Sequence, residues 1–171
     1  KNGSKLWRYK TLGAVNTRPD FWEDQVFIGD DKGHVYAIDI HKGKLIWKTT
    51  FSSEIHAQPT VGDKALYVMT QTGELKALNF KTGKEVWTYQ RRLAPQKMTI
   101  LGTADPLYKA SSQGGELFVG YADGAFVKLR ASNGSVIWKK QLQSNSKKFR
   151  DVDMIPLLDK DRLYVATFGG N

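Results

Sequence analysis

One phrase returns four times along this chain, and its return narrows the fold more than any other feature. NGSKLW, KGKLIW, TGKEVW and NGSVIW place Gly3, Gly43, Gly83 and Gly134 four residues ahead of Trp7, Trp47, Trp87 and Trp138. The tryptophans stand 40, 40 and 51 residues apart. A second landmark precedes the last three: DKGHVYAID, QTGELKALN and ADGAFVKLR carry Gly33, Gly73 and Gly124, each 14 residues before its tryptophan. Pro19, Pro59, Pro106 and Pro156 open the units. A period near 40 residues is the signature of a repeat architecture, whose units bury their apolar faces only against one another.

Inside a unit the pattern is all strand. In residues 57–90, AQPTV, ALYVMT, ELKALN and EVWTYQ are short runs rich in β-branched and aromatic residues, punctuated by Gly62-Asp63, Thr72-Gly73 and Thr82-Gly83. No window shows helical spacing of apolar residues. Four strands in roughly 40–45 residues make a propeller blade. The fold class expected is therefore all-β, a β-propeller of four-stranded antiparallel blades, about four in this chain. Residues 12–52, 53–92 and 93–143 would be complete blades, 1–11 the last strand of another, and 144–171 the first strands of a further one.

Twisted sheets stacked face to face leave a wedge between them, and each needs one large apolar group at the same place. Trp7, Trp47, Trp87 and Trp138 are the expected inter-blade wedges, since an indole packs and still donates a hydrogen bond to a neighbouring turn. Trp22, in RPDFWEDQ, lies off the pattern and is expected in a loop, packing locally.

Composition narrows the function. The 171 residues, 40% apolar, contain no run approaching the roughly 20 consecutive apolar residues of a membrane-spanning helix. The absence of cysteine removes thiol nucleophiles and thiolate metal sites, and fits either side of a membrane. The net charge of +9 is spread through turns such as His41-Lys42-Gly43-Lys44, with local clusters at Gln90-Arg91-Arg92 and Lys147-Lys148-Phe149-Arg150. A solvated rim accounts for it best, attraction to anionic headgroups comes second and nucleic acid third, so no nucleic-acid partner is expected. His34, His41 and His56 share no metal-ligand spacing, and no GxSxG, HExxH or phosphate-binding glycine loop occurs. His34 and His41 are expected as surface residues beside turns, and His56 at the start of an inner strand. No enzyme activity, metal or cofactor is expected.

VYAIDIHKGKLIW and LKALNFKTGKEVW resemble the LYALDxxTGxxxW phrase of the PQQ-type propeller repeat. Two groups use it: quinoprotein dehydrogenases, which hold pyrroloquinoline quinone and calcium on the axis, and the cofactor-free BamB-like scaffolds of outer-membrane β-barrel assembly. The last third, VGYADGAFVKLRASNGSVIWKKQL followed by FRDVDMIPLL, is similar to the BamB-like family. That resemblance implies a non-catalytic scaffold on the periplasmic face of the bacterial outer membrane, docking the barrel-assembly protein BamA. It assigns docking to Asp151 and Asp153 of DVD, and to Met98, Ile100 and Leu101 of KMTILG, where Leu101 replaces the arginine of the family's LSLRG-type segment. Membrane association would come only through a lipid anchor outside these residues. A fragment of a quinoprotein dehydrogenase or another PQQ-like propeller enzyme is the alternative.

Repeat arithmetic bears on the same patch. Five and three residues before the four prolines stand Ala14 and Asn16, Glu54 and His56, Leu101 and Thr103, and Asp151 and Asp153. Equivalent positions share one face of the ring, and strand alternation turns both aspartates to one side. The tryptophan-to-proline spacing is 12 residues at the first two junctions but 19 and 18 at the last two, so added length gathers there. The partial blades leave two expectations open: a piece of a longer chain, or a homodimer that completes the family's eight-bladed ring.

Overall fold

The computed structural model describes residues 3–91, 104–142, 155–160 and 162–166. Every regular element among them is a strand. β1 (Asp20–Trp22), β2 (Gln25–Gly29), β3 (His34–Asp39) and β4 (Leu45–Thr50) form one antiparallel sheet in chain order. β5 (Thr60–Val61), β6 (Leu66–Met69), β7 (Glu74–Leu78) and β8 (Glu85–Gln90) form the second. The third comprises β9 (Leu107–Lys109), β10 (Glu116–Gly120), β11 (Ala125–Arg130) and β12 (Val136–Gln141), and β13 (Leu157–Asp159) pairs with β14 (Arg162–Tyr164). These are the blades of an all-β propeller.

The two middle strands of each sheet are buried on both faces, so their sequences run apolar instead of alternating. Leu66 and Val68 turn toward the first sheet, joining Phe27, Val35 and Ala37 in one core. Their neighbours Tyr67 and Met69 turn the other way and meet Leu117, Val119, Val127 and Leu129 of the third sheet. Phe118 and Phe126 begin a further seam, with Leu163 and Val165 packed against it. Each fully buried Leu, Val or Phe contributes about 1.5–3 kcal/mol, so the seams and not the isolated sheets hold the molecule together.

The landmark glycines close turns. Gly33, Gly73 and Gly124 have φ of 78°, 82° and 82°, and their amides donate to Asp30, Thr70 and Tyr121 carbonyls at 2.9–3.2 Å. In the hairpins after β3, β7 and β11 the amides of Gly43, Gly83 and Gly134 donate to Asp39, Asn79 and Arg130 carbonyls at 2.7–2.9 Å. A register shift follows Ala37, Ala77 and Lys128, each the ladder partner of a tryptophan, Trp47, Trp87 or Trp138. The irregularity therefore recurs at one place in every sheet and adds twist beside the seam.

Residues 3–11 form no strand. A fourth strand needs the third strand of its own sheet, and β3 already pairs with β4. The segment instead runs along the first sheet, with the Tyr9 ring 5.8 Å from that of Tyr36.

Candidate functional site

Trp47 and Trp87 reach from one sheet to the next, and Trp7 reaches the first sheet from the segment ahead of it. Trp7 Nε1 donates to the Ile40 carbonyl at 2.6 Å, Trp47 to Phe80 at 2.9 Å and Trp87 to Ala131 at 3.0 Å. Each acceptor opens the hairpin that carries the next repeat's glycine, and the ring lies flat on that glycine. A Cβ at Gly43, Gly83 or Gly134 would stand 2.5–2.7 Å from a carbon of Trp7, Trp47 or Trp87. Glycine is required there twice over, for a φ of 64–71° and for the approach of the ring. Trp138 packs among Phe118, Phe126, Leu163 and Val165. Trp22 ends β1 instead of lying in a loop, and tilts against Phe80 at 5.5 Å.

Alternating strand direction sorts the connections onto two faces. The β2–β3, β6–β7 and β10–β11 turns open on the same side as the linkers between sheets: Ile55 N donates to Asp30 O and Phe51 N to Gly33 O. The β1–β2 turn and the β3–β4 hairpin open on the opposite side, where Ile40 N donates to Asp24 O. We call these the linker face and the hairpin face.

Met98, Ile100, Leu101, Asp151 and Asp153 lie outside the described residues. The repeat equivalents of Leu101, Asp151 and Asp153 in the first two units are described, and they belong to the linker face. Glu54 and His56 stay open to solvent, 2.9 Å apart through Oε2 and Nε2, while Ile55 between them is fully buried. His56 thus sits in the linker ahead of β5, which begins at Thr60, and not in an inner strand. Glu54 borders an open cleft of about 690 Å³, lined also by Asp31, Lys32, Ser52, Gln71 and Thr72.

The described residues that precede both lengthened junctions meet at one turn. Arg91, the last described residue before 92–103, pairs through its guanidinium with Asp123 of the β10–β11 turn, and stacks 5.2 Å from the Tyr121 ring. Before 143–154, Gln141 Nε2 donates to Asp123 O at 2.7 Å and Leu142 N to Gly124 O at 2.8 Å. Arg91 and Asp123 are nearly buried, with 12% and 10% of their side chains exposed. Burial holds the Tyr121 phenol far above its ordinary pKa. Sequence reasoning marked Gln90-Arg91-Arg92 only as a local charge cluster; Asp123 and Tyr121 gave no signal apart from flanking a landmark glycine. Inner strands are tied at the same side, where Asp105 accepts from Gln58 N at 2.6 Å and from Arg18 Nη2 at 2.8 Å.

A buried carboxylate closes the first sheet. Asp30 is fully buried and accepts from Gly13 N, Lys32 N, His34 N, the His34 ring and the Tyr36 hydroxyl at 2.7–3.1 Å. Burial alone would raise its pKa; the bonds from Tyr36 and His34 outweigh that and hold it below its ordinary value. Burial, with the adjacent carboxylate, pushes the Tyr36 hydroxyl up to about 12, although it also accepts from Leu12 N at 3.0 Å. His34, expected on the surface, is a largely buried member of this network, because it is the first residue of β3 and faces the turn. His41 is exposed, 3.0 Å from Asp24. No three His, Asp or Glu side chains gather around one point among the described residues.

Tryptophan-locked four-stranded blades and two distinct faces define a β-propeller of the PQQ-repeat class. Across residues 1–171 the chain matches the family described as outer membrane protein assembly factor BamB, and it belongs to that family. It is 31% identical over 153 residues to an outer membrane protein assembly factor BamB of Shewanella oneidensis, covering 86% of this chain and 37% of that one. The crystal structure of BamB from Moraxella catarrhalis superposes with a TM-score of 0.85 at 24% identity, over 98% of this chain and 51% of that one. The chain thus spans about a third to a half of the relatives it matches. A quinohemoprotein alcohol dehydrogenase from Comamonas testosteroni shares the fold, with a TM-score of 0.60 at 20% identity over 81% of this chain and 23% of that one.

Proposed function

We propose that this chain is a non-catalytic scaffold for outer-membrane protein assembly, working at the periplasmic side of the outer membrane and holding a BamA-like protein on its linker face. Family membership supports the assembly role. The observation that carries the docking face is the meeting, at Asp123 and Gly124, of the described residues that precede the two lengthened junctions. Loops carried on a rigid scaffold are where binding residues concentrate.

Docking is assigned to Asp151 and Asp153 with Met98, Ile100 and Leu101. In the equivalent Glu54-Ile55-His56 the outer two side chains face solvent and the middle one is buried, which supports a DVD segment with both carboxylates presented. Apolar side chains beside paired carboxylates suit an edge strand or loop of the partner, where main-chain pairing supplies affinity and charge sets register. Capture of a purified BamA-like periplasmic domain tests this. Asp151→Lys with Asp153→Lys should weaken capture at least tenfold while the melting temperature stays nearly unchanged; undiminished capture by that variant contradicts the assignment.

A further inference from the structure

The chain's excess positive charge falls on the outer segment of each repeat. Four outer segments, 5–10, 42–48, 81–88 and 136–140, carry ten of the 26 Lys and Arg but one of the 17 Asp and Glu. That one, Glu85, is engaged by Lys76 at 3.0 Å. The remaining 16 basic and 16 acidic residues balance, so the net +9 resides entirely on these segments. Two of them adjoin: the Trp7 indole bonds the Ile40 carbonyl and its ring covers Gly43, which sets 5–10 beside 42–48. Lys5, Arg8 and Lys10 on the first and Lys42, Lys44 and Lys48 on the second are exposed, and neither segment contains a carboxylate.

The same strip leaves apolar groups in water. Leu6 is 84% exposed, Leu45 44% and Ile46 45%. Lysine on an edge strand blocks edge-to-edge pairing. Edge protection accounts for lysines on the outer strand but not for the exposed leucines and isoleucine beside them. Cations interleaved with short apolar side chains are what an anionic bilayer surface takes: the ammonium groups meet headgroup phosphates while the apolar groups and lysine stems enter the boundary.

We propose that residues 5–10 and 42–48 form a peripheral membrane-contact strip that lies on anionic phospholipid headgroups. The contact is made by the chain's own outer segments, in addition to any lipid anchor, and it leaves the linker face free. It is independent of the docking assignment, since none of its residues belongs to that face.

Co-sedimentation of the full chain with vesicles tests it. The chain should bind phosphatidylglycerol–phosphatidylcholine vesicles and not phosphatidylcholine alone, and it should release as salt rises from about 0.1 to 0.5 M. Each surface cation is worth about a fivefold factor, so Lys42→Gln with Lys44→Gln should lower binding about 25-fold. Lys64→Gln with Lys160→Gln, equal in charge but off the strip, should leave binding within about twofold. Leu45→Ser with Ile46→Ser should weaken it at constant charge. Equal losses from both lysine pairs would show a response to net charge only and overturn the strip. Absent vesicle binding, with aggregation of the Lys42/Lys44 variant, would reduce the lysines to edge guards and overturn it too. Duplex DNA that binds more tightly and displaces the vesicles would assign the surface to nucleic acid instead.

Discussion

The unit of stability in this chain is a tryptophan from one sheet seated on a glycine of the next. Trp47 is 8% exposed and donates to Phe80 O, and its ring occupies the space a side chain at Gly83 would need. Trp47→Ala should cost about 3–5 kcal/mol, the range for large aromatic truncations in cores. Gly83→Ala should cost at least about 2 kcal/mol, from φ of 68° and the collision together. Chemical denaturation measures both. A melting temperature within a degree or two of the parent for either variant would contradict the seam. Asp30 sets a pH dependence. Its pKa is lower folded than unfolded, so its stabilising contribution is complete above the ordinary value of 3.8 and is lost as pH falls through the folded value. Asp30→Asn should lower stability at neutral pH by about 2–4 kcal/mol, because the amide turns an NH2 group, with two N–H donors, toward a site built of donors. It should also flatten the fall in melting temperature on acidification below about pH 4; an unchanged slope would show that another group governs it.

At the scale of elements, the strands were legible because two repeat landmarks bracket them. Gly33, Gly73 and Gly124 mark the turns into β3, β7 and β11, and the Gly-to-Trp phrase marks the hairpin and the outer strand. The glycine's second duty was not legible, since the ring it receives comes from a tryptophan 36 or 47 residues earlier in the chain. Trp22 and His34 were misplaced for the same reason: each is positioned by a contact, with Phe80 or with Asp30, that local sequence does not encode. The proposed docking residues were named through family resemblance, whereas the turn at Asp123 emerged from the fold. Asp123→Ala should therefore behave differently from reversal of Asp151 and Asp153. It removes a nearly buried partner of Arg91, and should lower both melting temperature and partner capture. Loss of stability with capture intact would separate the turn from the docking face.

At the scale of the molecule, three four-stranded sheets and the β13–β14 pair share continuous cores, and function is divided between faces. A scaffold should gain no dye-linked alcohol or sugar oxidation on incubation with pyrroloquinoline quinone and calcium; saturable cofactor binding with turnover would support the dehydrogenase alternative. Light scattering separates the two expectations for the ring. A mass near twice 19.3 kDa indicates a shared ring, and a concentration-independent 19.3 kDa excludes one. The docking face itself is tested most directly by amide hydrogen exchange of the chain with and without a BamA-like periplasmic domain. Slower exchange over 92–103, 143–156 and Glu54–His56, with Lys42–Lys48 unchanged, is the predicted footprint. Protection confined to the hairpin face, or none at saturating partner, would contradict the account.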